Sequence, residues 1–406
     1  MTLADTTQMP TAPLRTAAAK TSQAGQRIRD PRLDFFRGIV MFIILIAHTP
    51  GNWLTLWIPA RFGFSDATEV FVFCSGMASA IAFGAVFRDQ GLLMGTARII
   101  FRCWQVYWAH IGLFFAIAGT MVVLNSTELF ERDYVGQLNL YPFFKNPEQN
   151  LVGLLTLTYV PNYFDILPMY LVVLAMMPLV IAAHRAHPLL ALGLVAGVWL
   201  GAQIDALALP AEPWSAREWF FNPFGWQLVF FTGFAFMAGW IPAPPRNKLL
   251  VILAAVIVVV IIPLAYYRIT RQLPEVREWR TEYRYLIAKT DFGILRYVHF
   301  LALAYLCWIA VGEAGKRILP PQTGGALAEL WRRTLAVIMK VGQQSLAVFI
   351  TSMFVARLLG VALDVLGRNS LFNQLVVNLT GFAILIAVAY GVGWFKSQPW
   401  RTKRAV

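Results

Sequence analysis

The chain has 406 residues with a net charge of +13, is 58% hydrophobic and only 14% charged, and has a mean hydropathy of +0.60. Soluble domains carry about 25% charged residues, so an ordinary soluble enzyme is excluded. The composition predicts a polytopic, all-α membrane protein, because lipid requires backbone polar groups to be satisfied within the spanning segment. No basic motif with interleaved aromatics accompanies the positive charge, and no nucleic-acid partner is expected.

The first 30 residues are rich in Thr, Ala, Gln and Arg and lack the apolar core of a signal peptide. Residues 1–30 are expected to be a disordered cytoplasmic tail, ahead of one helical bundle over residues 31–400. Ten mainly apolar stretches follow, centred near residues 42, 78, 112, 173, 196, 233, 258, 304, 350 and 383. Each is near the length of about 20 residues that a bilayer core needs, which predicts about ten transmembrane helices with both termini on the same side. Basic loops stay in the cytoplasm. With the N-terminus inside and sides alternating, the inner segments hold 21 Lys+Arg and 6 Asp+Glu against 13 and 15 outside, a net +15 inside and −2 outside. Both termini are therefore placed in the cytoplasm, and the basic excess implies the lipid bilayer as partner. Cys74, Cys103 and Cys307 fall inside apolar spans and behave there as small hydrophobes. No disulfide framework or metal-ligand spacing is present.

In the first span, residues 33–50 (LDFFRGIVMFIILIAHTP) carry Asp34, Arg37 and His48. At 100° per residue, the eleven-residue step from Arg37 to His48 closes to within about 20° of whole turns. The two share a face, about 16 Å apart along the axis. Asp34 sits one turn before Arg37 and about 40° from His48 in projection. Ionisable groups in a span cost about 2.5–3.5 kcal/mol each and face a bundle interior or cavity, so the stripe is read as lining a reaction site or pathway. His48, followed by Thr49, Pro50 and Gly51, either bonds a backbone carbonyl in the core or acts as a general base near its ordinary pKa of about 6.5. Its register with Arg37 favours the base. Arg37 either snorkels to lipid phosphate or binds an anionic donor.

The second span opens at residues 62–76 (FGFSDATEVFVFCSG) with Asp66 and Glu69, a capping box by pattern. One of these carboxylates is also expected to face His48, orienting its ring and stabilising an imidazolium, as the acid of an acyl-transfer triad does. Arg61, just before them, is a candidate for balancing negative charge on a donor or transition state. Residues 151–159 form an apolar piece too short to span, read as interfacial or re-entrant. Polar groups then gather where later spans begin: Asn162, Tyr163, Asp165 and Tyr170 (PNYFDILPMY), Asn222, Trp226 and Gln227 (FFNPFGWQL), Gln343 and Ser345 (VGQQSLAVFI). For each, a cap or interhelical hydrogen bond competes with substrate binding. The loop over about residues 268–296 alternates in charge and reads as a solvated surface. His110 and His299 are candidates for lining the same cavity as His48.

Together, the blocks DPRLDFFRGIVMFIILIAHTPGNWL, FGFSDATEVFVFCSGM, PNYFDILPMY, FFNPFGWQL and RYVHFLALAYL resemble the OpgC family of bacterial inner-membrane proteins, associated with succinylation of osmoregulated periplasmic glucans. The spacing of Arg37, ten residues, His48 is also similar to the arginine and histidine motif of the broader membrane acyltransferase family three, whose members commonly have ten helices. The resemblance implies His48 as the catalytic residue and Arg37 as its companion. It further implies an O-acyltransferase that passes a succinyl or related acyl group from a cytoplasmic acyl-CoA, such as succinyl-CoA, to periplasmic glucan hydroxyls. The acyl-CoA is a substrate, and no bound cofactor or metal is expected. On this reading Asp66 and Glu69 support His48, while Asp34, Asn162, Asp165, Tyr170, Asn222, Trp226, Gln227 and His299 join Arg37 and Arg61 as substrate-binding candidates. The competing class is a transporter or flippase for an anionic or glycan substrate. Its mark, a pair of Gly/Pro-interrupted helices in matching halves, is not seen.

Overall fold

The structure, a computed structural model, describes residues 30–127, 132–321 and 324–401. The expected tail therefore lies outside the described residues apart from Asp30. Residues Pro31–Val406 form one unit by their internal contacts, and among the described residues this unit is helical throughout, with no strand.

Helix α1 (Pro31–His48) leads through two short 3-10 turns (Trp53–Leu56 and Pro59–Arg61) into α2 (Ala67–Ser126). Two short helices, α3 (Tyr141–Lys145) and α4 (Pro147–Thr156), precede α5 (Ile166–Ala186), α6 (Pro188–Gln203) and α7 (Pro223–Ala238). After α8 (Lys248–Ala265) come α9 (Tyr267–Gln272), α10 (Pro274–Glu282) and α11 (Arg284–Ile287). The chain closes with α12 (Ile294–Val311), α13 (Ala326–Gln343), α14 (Ser345–Leu366) and α15 (Leu371–Ser397).

Six of these helices, α2, α5, α8, α12, α14 and α15, are long and apolar enough to cross a membrane, so the chain is a multi-pass membrane protein. All ten predicted centres fall inside helices. The smaller number of qualifying helices has identifiable causes. Helix α2 is 60 residues long and bends at Gly91, whose φ of +86° is open to glycine at little cost, so two predicted stretches share it. Helices α6 and α7 are apolar but have 16 residues each, and α1 carries Arg32, Asp34 and Arg37.

Local sequence accounts for the helix ends that matter. Pro31 opens α1, where a missing N–H is tolerated. After His48 the helix stops: the Thr49 hydroxyl donates back to the Leu45 carbonyl at 2.8 Å, Pro50 follows, and Gly51 takes φ +78°. The box at α2 forms as its pattern predicts, with Thr68 N–H donating to Asp66 and Asp66 N–H donating to Glu69, both at 2.7 Å.

One large core cluster runs through α2, α5 and α7, and α1 and α14 add Met41, Ile44, Leu45, Val348, Phe349 and Met353 to it. Helix α1 crosses α13 at two glycines. A Cβ on Gly38 would stand 2.0 Å from the Ile338 carbonyl oxygen, and one on Gly342 2.0 Å from that of Asp34. Small residues permit this backbone approach in membrane bundles. Helix α13 is absent from the predicted spans because Glu329, Arg332, Arg333 and Lys340 make it too polar, yet it packs on α1 and α15. Helix α8 leaves Leu249, Ile252, Leu253, Val256, Val259 and Val260 exposed, a surface suited to lipid rather than water.

Candidate active site

His48 is the last residue of α1, and its Nδ1 stands 2.9 Å from the Ile44 carbonyl oxygen. A carbonyl can only accept, so Nδ1 carries a proton, and in the neutral ring Nε2 keeps its lone pair. The Tyr163 ring meets the imidazole edge-on, with centroids 5.3 Å apart. Tyr163 is in turn clamped to α14: its hydroxyl donates to the Met353 carbonyl at 2.6 Å, and one turn further on the Arg357 guanidinium lies over its ring, 4.6 Å from the centroid. The Tyr163 backbone has φ +86°, a conformation uncommon for a bulky residue that persists only where the surroundings hold it. Lys289, Asp66 and Arg357 all act on His48 electrostatically.

The two carboxylates are placed differently from the expectation that one orients the ring, since the bond on the His48 ring goes to Ile44. Each instead meets a cation from the segment read as a solvated surface. Lys289 Nζ reaches Asp66 Oδ2 at 2.5 Å, and Arg296 Nη1 reaches Glu69 Oε1 at 2.5 Å. Glu69 is fully buried and Arg296 is 8% exposed. Either group alone would pay a heavy desolvation cost, and the pairing offsets it. Burial opposes the charge on Asp66, but Lys289 and Arg296 beside it hold its carboxyl well below the usual carboxylate range. The pairs tie residues 289–296 to the head of α2.

The frame around this loop uses several predicted substrate-binding residues. Asn222 caps α7 by accepting from Phe224 N–H, and its Nδ2 donates to the Leu207 carbonyl at 2.7 Å and to Asp291 Oδ1 at 2.9 Å. Trp226 Nε1 donates to the Lys289 carbonyl at 2.8 Å, and Gln227 Nε2 to that of Val195 at 2.8 Å. Asn222 and Trp226 are thus committed to holding the loop that presents Lys289, and Gln227 ties α7 to α6. Asp165 occupies the cap position of α5 but accepts from Phe220 N–H at 3.1 Å rather than from its own helix. Burial raises its carboxyl to about 6, partly offset by that bond and by Arg217. Asn162 is exposed and accepts from Arg217 at 3.4 Å. Arg61 Nε donates to the Thr55 carbonyl at 2.9 Å, pinning the turn between α1 and α2.

The other two candidate histidines differ from His48. His299 is 3% exposed, and its Nδ1 accepts from Ser65 N–H at 3.2 Å with the Ser65 hydroxyl at 2.7 Å. Its basic nitrogen is thus occupied. His110 is fully buried, with neither ring nitrogen hydrogen-bonded among the described residues.

Arg37 lies further down the α1 stripe and donates to the Ser345 hydroxyl. Asp34, fully buried, accepts from Gln343 Nε2 at 3.3 Å. Arg37 and Ser345 line a cavity of about 250 Å³ together with Ser75, Ser79, Arg98, Arg102, Gln105 and Tyr170, and Phe71, Phe83 and Leu167 supply apolar wall. On α2 before its bend at Gly91 the lining runs from Phe71 to Phe83, about 18 Å at 1.5 Å per residue, and beyond the bend Arg98, Phe101, Arg102 and Gln105 close it. Three guanidiniums beside an apolar slot suit a ligand with an anionic head and an aliphatic part. The structure brings Arg37 and Tyr170 together here, while His48, Asp66 and Glu69 stand outside this lining.

Sequence reasoning missed Lys289, Arg296, Arg98, Arg102 and Arg357 as site residues. Arg357 had a signal, a cation deep in the apolar run SLAVFITSMFVARLLGVALDVL. Lys289 had none, because its partner Asp66 is 223 residues away.

No curated protein and no solved structure matches the chain. A family model described as OpgC protein matches residues 29–397, from before the start of α1 to the end of α15. Over nearly its whole length, therefore, the chain belongs to the OpgC family.

Proposed function

We propose that the protein is a membrane O-acyltransferase of the bacterial inner membrane, with about ten crossings and both termini in the cytoplasm. It moves a succinyl or related acyl group from a cytoplasmic acyl-CoA to a hydroxyl of a periplasmic glucan. The observation that carries this reading is the state of His48: Nδ1 is engaged by Ile44, so a basic Nε2 remains at a half-buried helix end. Family membership adds the acyltransferase-like class.

In this mechanism Nε2 takes the proton of the glucan hydroxyl as its oxygen attacks the thioester carbonyl. The new C–O bond forms, the C–S bond breaks, and the imidazolium returns its proton to the departing thiolate. Asp66 acts on the ring through space as half of an ion pair with Lys289, and Glu69 with Arg296 fixes the helix head that carries Asp66. Arg37, Arg98 and Arg102 hold the phosphates of the donor, with Ser345 and Tyr170 completing that cavity.

The test is His48→Gln in cells and in purified protein. Loss of a general base predicts a fall in transfer of about 10²- to 10⁴-fold, with membrane insertion intact and glucan masses lowered by the missing succinyl groups. Undiminished succinylation in this variant would sink the mechanism.

A further inference from the structure

The Arg357 guanidinium pairs with no carboxylate among the described residues. Its Nε is buried with no hydrogen-bond partner, and its contact is with the face of the Tyr163 ring. The acids on either side are already used. Asp66 is bound to Lys289, and Asp364 takes Arg368, Arg132 and the Tyr134 hydroxyl. A half-buried guanidinium whose Nε is closed off from water favours an anion at its outer nitrogens, and its planar fork matches a carboxylate in two parallel hydrogen bonds.

The fork is also placed with care. Gly360, one turn beyond Arg357, has Pro50 so close that a Cβ would stand 2.5 Å from its ring, which sets this part of α14 beside the end of α1. Tyr163, held at φ +86°, stands between the imidazole and the guanidinium, 5.3 Å from the one and 4.6 Å from the other. Arg357 Cζ is therefore within about 10 Å of the His48 ring centre. The carboxyl carbons of an extended four-carbon diacid are about 4 Å apart, as are atoms three bonds apart along a backbone. With a hydrogen bond of about 3 Å at each end, such a chain has the length to reach from one group to the other along the side of the Tyr163 ring.

We infer that Arg357 is the specificity residue for the acyl group: it binds the free carboxylate of a dicarboxylic acyl chain whose thioester end is presented at His48. This rests on the acyltransferase reading above. Tyr163 acts as a positioning residue, bracing the guanidinium by its ring face. The donor's phosphates belong to the separate Arg37 cavity, so Arg357 selects the acyl group and not the carrier.

The experiment compares succinyl-CoA with butyryl-CoA, a neutral chain of equal carbon count, as donors to a glucan acceptor, using full-length protein in lipid nanodiscs. The parent protein is expected to prefer succinyl. In Arg357→Gln the succinyl-to-butyryl ratio of kcat/KM falls by about 10- to 100-fold, the range for a lost charge-assisted contact. Arg357→Lys, which keeps the charge but not the fork, falls part of the way and serves as the folded comparison if the glutamine variant does not insert. A ratio unchanged in both variants, with total rates lowered or not, overturns the assignment and leaves the acyltransferase intact. A parent protein that transfers neither acyl group overturns the acyltransferase reading and this inference with it.

Discussion

Two groups of cations sit near the end of α1, and they are treated in opposite ways. Lys289 and Arg296 each face a carboxylate at 2.5 Å, Asp66 and Glu69 respectively. Arg357, beside His48 and Tyr163, has an aromatic face and pairs with no carboxylate among the described residues. A matched pair spends its hydrogen-bonding capacity inside the protein and so builds a frame, whereas an unmatched cation keeps donors for something that arrives. The same contrast separates His299, whose Nδ1 is taken by Ser65, from His48, whose Nε2 remains available once Nδ1 is bound to Ile44.

The strongest way to break this comparison is to unbalance the frame. Arg296→Met strands the buried Glu69 and is expected to cost about 3–5 kcal/mol of stability, read as a lowered thermal transition in detergent. The double variant Glu69→Gln with Arg296→Met removes both charges and should recover most of that loss. A single variant as stable as the parent would show that the pair does not hold the frame.

A smaller effect is expected on the unmatched side. Tyr163→Phe removes only the bond to the Met353 carbonyl and should cost about 1 kcal/mol while keeping the ring contacts. Tyr163→Leu loses the support of the guanidinium as well, worth about a further 0.5–2 kcal/mol, and should reduce succinyl selectivity, which Tyr163→Phe retains. Equal transfer selectivity in the two variants would remove the bracing role of the ring.

A further effect is a gain. Asp165 has its carboxyl raised from an ordinary 3.8 to about 6 by burial. The folded state holds this proton more tightly than the unfolded one, so its contribution is fully present below about pH 3.8 and is lost as pH rises through about 6. Asp165→Asn keeps an acceptor for Phe220 N–H and cannot ionise. Its melting temperature should exceed that of the parent at pH 7.5, with the difference shrinking toward pH 4. A constant difference between those two pH values would contradict the assignment.

Much of the site was legible because it is local. The eleven-residue step from Arg37 to His48 needs only an unbroken helix, and α1 is one helix from Pro31 to His48. The capping box at Asp66 and Glu69 needs only neighbouring backbone N–H groups. The loop ending at Arg296 is a solvated surface over Arg271, Glu275, Arg277, Glu278, Glu282 and Arg284, as its pattern predicts, but Lys289 and Arg296 depart from it, because alternating charge looks the same on a solvated surface and in cations aimed at distant acids. Asn222, Trp226 and Gln227 were recognisable as polar groups at a helix start, but the commitment of Asn222 to Asp291 and of Trp226 to the Lys289 carbonyl depended on where residues 288–293 pass, and that of Gln227 to the Val195 carbonyl on the packing of α6.

By itself the sequence determined an all-helical membrane protein of the OpgC family, the polar stripe on α1 and the start of α2. These follow from apolar run length, helical periodicity and capping, which act over a few residues. Tertiary structure decided which charges were neutralised and which were left open. A salt bridge between Asp66 and Lys289, or a guanidinium from α14 laid on Tyr163, arises only when the packing of many apolar faces has fixed which helices are neighbours.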